Sequence, residues 1–198
     1  MNVRAPAILC AARPHGETAV IAQLLTADHG LLAGYVAGGR GRQLRPVVIP
    51  GNLVEVDLRS RSDSQLPFAR LELVESRGPW LNEPLPAAAI QWATTLTATV
   101  LPERHAYPTI YQALTGLLEA ICCAPSARGW GRALVGYEAL LLRELGYGGE
   151  RSAGEDLPGV LAEMDRLAGP LDHYLLADRR GDVMAARARL RDLLGRMA

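Results

Sequence analysis

The sequence predicts an α+β protein, a small five-stranded β-barrel followed by a helical bundle. Three observations predict it. Five apolar runs separated by turn residues lie between Val3 and Val74, with no helical period among them. The texture then changes at Gly78-Pro79-Trp80. From Ala87 to Met197, apolar residues recur at helical spacing. The expected domains are residues 1–78, a nucleic-acid-binding barrel, and 79–198, a helical domain.

The first strand is expected over residues 3–13, through Ala7, Ile8, Leu9 and Cys10, with a turn at Pro14-His15-Gly16-Glu17. The second covers Thr18 to Thr26, with Ala19, Ile21 and Leu25 alternating against Thr18, Ala22 and Leu24. Asp28-His29-Gly30 is a turn signal. Leu31 to Ala37 is the third strand. Leu53 to Leu58 alternates strictly and forms a half-buried strand with Glu55 and Asp57 on the wet face. Arg59 to Gln65 is a polar hairpin loop, and Leu66 to Val74 is the fifth strand. A five-stranded OB-fold fits this count, and its usual work is binding oligonucleotides. A five-stranded SH3-like barrel fits nearly as well from periodicity alone.

Pro84 and Pro86 mark a linker and a helix start. Ala87 to Leu101 is the first helix, closed by Pro102. Pro108 to Cys123 is the second, with Ile110, Leu114, Leu117, Leu118 and Ile121 on one stripe. Arg128 to Leu145 is the third, with Leu134, Tyr137, Leu141 and Leu145 on one face and Gly146 as its C-cap. Gly148 to Gly154 is a polar, glycine-rich connection. Pro158 to Leu167 and Asp182 to Met197 are two further helices. In the last, Arg187, Arg189 and Arg191 lie beside Leu190, Leu193 and Leu194 in an amphipathic arrangement.

Composition narrows the function. The 198 residues are 49% hydrophobic, enough for a packed core. The 21 basic and 21 acidic residues cancel, so any nucleic-acid site is a local patch rather than a coated surface. Every basic residue is arginine, as in the coding bias of a GC-rich genome. Cys10, Cys122 and Cys123 make no C-x-x-C pair and no even framework, which predicts small hydrophobes in a reducing cytosol; a Cys122-Cys123 redox pair is the alternative. The absence of a signal-peptide pattern and of a membrane-length apolar run predicts a cytoplasmic protein, associated with the nucleoid if it binds DNA.

The stretch from Gly34 to Gly51 puts Arg40, Arg42 and Arg45 in a glycine-rich loop between two strands. Gly38, Gly39 and Gly41 let the backbone come close to a partner. Arginine's planar, always-charged fork suits phosphate oxygens. The loop therefore reads as a phosphate-contacting arm; a solvated hairpin loop with ordinary surface charge explains the same residues. An enzyme would need a constellation that is missing. There is no G-x-x-x-x-G-K-[ST] and no G-x-S-x-G. His15, His29, His105 and His173 are scattered, so no metal or cofactor is expected.

Several ordered segments carry a resemblance. They are Ala7-Ile8-Leu9 with Arg13-Pro14-His15-Gly16-Glu17-Thr18, Leu25 to Gly30, the Gly38 to Pro50 stretch with Gly39-Arg40 and Leu44-Arg45, and Tyr137-Glu138-Ala139-Leu140-Leu141-Leu142-Arg143-Glu144-Leu145-Gly146-Tyr147. In this order they resemble the RecO family of bacterial recombination mediators. Residues 173–196 are more loosely similar to the family's last helices. Two departures stand out. Many relatives carry four zinc-binding cysteines just after the Leu145-Gly146-Tyr147 position, where this chain has none up to Gly154, and the chain is shorter than usual in that region.

The resemblance implies an OB-fold and a helical domain. It implies binding of single- and double-stranded DNA without sequence preference, and annealing of complementary strands. With RecR as partner, such proteins load RecA onto strands coated by single-stranded DNA-binding protein (SSB), and they dock its acidic, apolar-tipped C-terminal tail. The expected DNA contacts are Arg40 and Arg45, then Arg42 and Arg13, with Arg59 and Arg61 extending the patch. For the SSB tail, Arg128, Arg132 and Arg143 around the third helix are the candidates. Tyr35 and Phe68 are the barrel's only Phe, Tyr or Trp rings, and Phe68 is assigned to the core, so binding is expected to rest on arginine–phosphate contacts. Four contacting arginines give a slope of log affinity on log salt of about −3. The competing classes are a protein-interaction adaptor that binds no DNA and a nucleic-acid-modifying enzyme that uses the barrel as a clamp.

Overall fold

The computed structural model describes residues 2–62, 65–148, 156–177 and 183–197. Five strands, β1 (Asn2–His15), β2 (Ala19–Thr26), β3 (Gly30–Val36), β4 (Leu53–Arg59) and β5 (Phe68–Glu75), close into a barrel in the order β1-β2-β3-β5-β4. The five-stranded OB-fold expectation is met. Five helices follow: α1 (Pro84–Val100), α2 (Pro108–Cys123), α3 (Gly131–Glu144), α4 (Leu157–Pro170) and α5 (Val183–Gly195). The chain divides into two compact units, residues 1–82 with 101–111, and residues 83–100 with 112–198. No helix among the described residues is long and apolar enough to cross a membrane.

The barrel closes because β1 serves two partners. Its first half, Asn2 to Ile8, pairs with β4, and its second, Ile8 to His15, pairs with β2, with the register shifting between Leu9 and Ala11. The expected break at Pro14 does not occur. Pro14 lies opposite Val20, in the half of β1 whose other edge has left β4, and a missing N–H is tolerated on such an edge. Alternation then fills the interior: Val54, Val56 and Leu58 point inward with Ala7, Leu9, Ala22, Leu24 and Leu32. Cys10 is buried, and burial pushes its thiol up to about 12, so it acts as a small hydrophobe. The last seam is narrow. Strands β3 and β5 meet in parallel through one pair, Tyr35 opposite Phe68, with the Tyr35 N–H donating to the Pro67 carbonyl at 2.8 Å.

The loop from β3 to β4 is folded rather than an open arm. Gly41 to Val48 winds through consecutive turns, with Arg45 N–H donating to the Gly41 carbonyl and Val48 N–H to the Leu44 carbonyl, both at 2.9 Å. Leu44, Val47 and Val48 pack against the barrel core. Asn52, fully buried, ties it down: its Nδ2 donates to the carbonyls of Pro46 and Val47 and its Oδ1 accepts from Arg77 N–H. Residues 101–111 return to this unit. Arg104 N–H donates to the Leu31 carbonyl at 2.9 Å, and a Cβ on Gly30 would fall 1.9 Å from the His105 carbonyl oxygen, so only glycine fits there.

In the helical unit, the expected stripe of α2 and face of α3 are buried, apart from half-buried Leu145. Helix α1 begins earlier than expected, at Pro84, because prolines are tolerated in a first turn whose N–H groups have no partner. Helix α3 begins later, since Ala127–Gly129 form a separate tight turn ahead of buried Trp130. Pro170 lacks the N–H for the regular ladder, and Leu171–Leu176 continue as a π-helical turn. Gly146 caps α3 as expected, at φ +90°. The glycine-rich connection at residues 149–155 and the expected start of the last helix at Asp182 lie outside the described residues.

The core of this unit contains an unexpected polar set. Glu138, fully buried, accepts from Trp92 Nε1 at 2.8 Å and from Arg187 Nε and Nη2 at 2.8 Å each. Arg187 also donates to the Met164 carbonyl at 2.7 Å. The Glu138 carboxylate thus joins α1, α3 and α5, and Arg187 ties in α4. Arg187, one of the arginines of the amphipathic pattern in the last helix, is buried.

Candidate nucleic-acid interface

The six barrel arginines singled out by sequence fall into three groups. Arg13, Arg42, Arg45 and Arg61 are exposed, with no acid or hydrogen-bond partner among the described residues. Arg40 is held at the β1–β2 turn: its N–H donates to the Thr18 carbonyl at 2.9 Å and its Nη1 to the Glu17 carbonyl at 3.1 Å. The Glu17 carbonyl positions that guanidinium without neutralising it, and the Thr18 carbonyl holds the main-chain N–H. Arg59 is committed elsewhere, gripping Asp57 with Nε and Nη2, the shortest contact being 2.7 Å. That hydrogen bond holds the Asp57 carboxyl below its ordinary range and pushes Arg59 up.

Strand register gathers Arg13 with residues that sequence reasoning missed. Arg13 lies opposite Ile21, Ile21 opposite Tyr35, Tyr35 opposite Phe68, and Phe68 opposite Arg59. These five form one row, one residue from each of the five strands, on the barrel's outside. The assignment of Phe68 to the core is wrong: its side is 63% exposed. The reason is parity. In β5 Ala69 and Leu71 point inward, so Phe68 shares the outer face with Arg70 and Glu72. That alternation is present in the sequence and would have placed Phe68 outside. Tyr35 and Phe68 touch edge to face, with ring centroids 5.1 Å apart at 73°. His15, exposed, meets Tyr35 at 5.8 Å and 89°. Beside Phe68, an open groove of about 730 Å³ runs along Arg59, Ser60, Arg61, Gln65 and Leu66 in the β4–β5 loop.

The outer face around β4 is different. Arg4 pairs with Glu55 at 3.2 Å, Arg59 with Asp57, and Arg70 with Glu72 at 3.5 Å. Its cations are matched by acids of the same face.

For the helical unit, an open groove of about 900 Å³ between α2 and α3 is lined by small and apolar residues, among them Ala113, Gly116, Leu117, Gly136 and Leu140, with Arg143 in its wall. Arg143 is exposed and only loosely engaged, 3.5 Å from Glu144. Arg128 and Arg132 do not line this groove. Among the described residues no cluster of His, Cys, Asp or Glu has the geometry to hold a metal ion. The stretch after Tyr147, where the resemblance implies zinc cysteines in many relatives, lies largely outside the described residues.

Comparison with known proteins bears on both units. The family model described as Recombination protein O N terminal matches residues 1–77, and that described as Recombination protein O C terminal matches residues 83–152. The chain is 38% identical over 156 residues to a DNA repair protein RecO of Gluconacetobacter diazotrophicus, covering 77% of this chain and 61% of that protein. It is 41% identical over 143 residues to one from Rhodospirillum centenum, covering 72% and 56%, and 40% identical over 146 residues to one from Rhodospirillum rubrum, covering 71% and 57%. The chain thus spans about three-fifths of the length of these relatives.

Proposed function

The chain belongs to the RecO family, and from that premise we propose that it is a recombination mediator of DNA repair that binds DNA through the outer surface of its barrel. The observation that carries this reading is the set Arg13, Arg42, Arg45 and Arg61: four exposed arginines without acid partners among the described residues of a chain whose net charge is zero. Elsewhere on the barrel, arginines meet carboxylates. Cations left without acids suit phosphates, which are read without regard to sequence. Arg40 supports the site by fixing the β3–β4 loop against the β1–β2 turn.

In this reading the protein works in the cytoplasm at the nucleoid, binds single and double strands, anneals complementary strands and, with RecR, promotes RecA loading on SSB-coated DNA. It acts as a mediator rather than an enzyme. The α2–α3 groove suits the SSB tail, since an acidic peptide with an apolar tip needs an apolar trough and a cation at its edge, here Arg143. Arg143→Glu is expected to abolish binding of a labelled acidic tail peptide while leaving naked-DNA binding intact; loss of both, or of neither, counts against the groove.

The test of the main reading is fluorescence anisotropy with a labelled single strand at several salt concentrations. Four phosphate-contacting arginines give a log–log slope of about −3. A flat salt response, or no binding at low salt, would leave a protein-interaction adaptor.

A further inference from the structure

We propose that Tyr35 and Phe68 form a stacking site for two unpaired, splayed bases, which makes the barrel's DNA site selective for single strands. This deepens the DNA-binding reading above and rests on it.

A single exposed aromatic ring is unremarkable on a protein surface. Here Tyr35 and Phe68 share one outer row and touch, and His15 touches Tyr35 from the end of β1. Phe68 is 63% exposed, Leu66 next to it is 42% exposed, and His15 and Tyr35 complete the set. Packing does not require Phe68 to be there, since the interior is filled by Ala69 and Leu71 of the same strand. The rings stand nearly perpendicular, Tyr35 at 73° to Phe68 and at 89° to His15. In such edge-to-face pairs the ring planes point in different directions; Phe68 is exposed and Tyr35 half-buried. Bases stacked on two such faces are splayed apart rather than parallel.

A duplex has no free base faces to offer, because each is covered by the next pair. An unpaired strand does, and base–aromatic stacking tolerates any sequence. The charges select the same ligand. Arg13 ends the row on one side, and Arg61 lines the groove beside Phe68 on the other, both without acid partners among the described residues. A strand whose bases rest on the rings has Arg13 in the row and Arg61 in the groove beside Phe68 available for its backbone. A protein partner would be served by the apolar rings but gives no reason for Arg13 and Arg61 to lack acid partners among the described residues.

The test compares three labelled probes at one low salt concentration with the full chain: oligo-thymidine, an abasic strand of equal length, and a duplex. Wild type is expected to bind oligo-thymidine more tightly than the abasic strand by about 5- to 150-fold for each stacked base. Phe68→Leu keeps the apolar bulk and the fold but removes the ring. It is expected to lose most of that margin, as is Tyr35→Ala, while affinity for the abasic strand and the duplex stays within twofold. Phe68→Trp is expected to retain the margin. Equal binding of wild type to oligo-thymidine and the abasic strand, or an unchanged margin in Phe68→Leu, overturns the stacking site while leaving the arginine site standing. Failure of wild type to bind any probe overturns both.

Discussion

The barrel's outer row and the core of the helical unit are built from the same parts and put them to opposite uses. Each brings arginine together with aromatic rings. In the helical core, Arg187 lies 6.0 Å from the centre of the Trp92 ring, and Glu138 closes the set by accepting from both. Trp92 Nε1 and Arg187 Nε and Nη2 all have acceptors there, and the three side chains are buried. On the barrel, Arg13, Tyr35 and Phe68 share a row in which Arg13 has no carboxylate partner among the described residues, Phe68 is exposed and Tyr35 half-buried. A complete polar set holds helices together; an incomplete one is left for a ligand. The β4 face is intermediate, exposed but internally balanced by Glu55, Asp57 and Glu72.

The largest expected effect comes from opening the closed set. Arg187→Met leaves the Glu138 carboxylate buried without its cation, which costs about 3–5 kcal/mol. Denaturant titration should show the destabilisation, and DNA affinity per folded molecule should be unchanged. A loss of DNA binding at intact fold would break the division of roles between the two regions.

Next comes emptying the open set. Removing three cations in Arg13→Ala/Arg42→Ala/Arg45→Ala is expected to reduce the salt slope from about −3 to about −1, since each single-strand phosphate contact adds about 0.7. Affinity at low salt should fall at least tenfold for single strand and duplex alike, with no change in the unfolding midpoint.

A smaller effect sharpens the comparison by converting a balanced arginine into a free one. Asp57→Asn releases Arg59, which sits opposite Phe68. DNA affinity should rise severalfold and the slope steepen by about 0.7. The pH sense follows from the Asp57 carboxyl, held below its ordinary value of 3.8 chiefly by the hydrogen bond from Arg59. A depressed carboxyl contributes its pairing above the ordinary value and loses it as pH falls through the lowered one. At neutral pH the pair is therefore intact, and only the substitution frees Arg59. Smallest of all, Arg4→Ala with Arg70→Ala on the balanced face should change DNA affinity by less than twofold, measured by the same anisotropy titration.

What was legible in the sequence was whatever alternation or periodicity encodes. The strict pattern from Leu53 to Leu58 gave β4 and its wet face, and the Ile110 to Ile121 stripe gave α2. Gly146 marked the end of α3. Phe68 was misread because its hydrophobicity was weighed above its parity with Arg70 and Glu72. The row itself needs strand register, which joins positions as far apart as Arg13 and Phe68 and leaves no local signal. The role of Arg187 was not legible for a related reason: one turn of an arginine-rich helix does not reveal that a distant Glu138 waits in the core. The β3–β4 loop carried its arginines in plain view, while the inward packing of Leu44, Val47 and Val48 that makes it rigid depended on the barrel beneath it.

The most direct measurement is photo-crosslinking of the full chain to a single strand carrying 5-iodouracil, with the attached residues identified by mass spectrometry. The expected result is attachment at Tyr35 or Phe68, competed by unlabelled single strand and not by an equal concentration of duplex. Attachment confined to the β4 face around Arg4 and Glu72, or to the helical unit alone, would contradict the assignment of the open row as the DNA site.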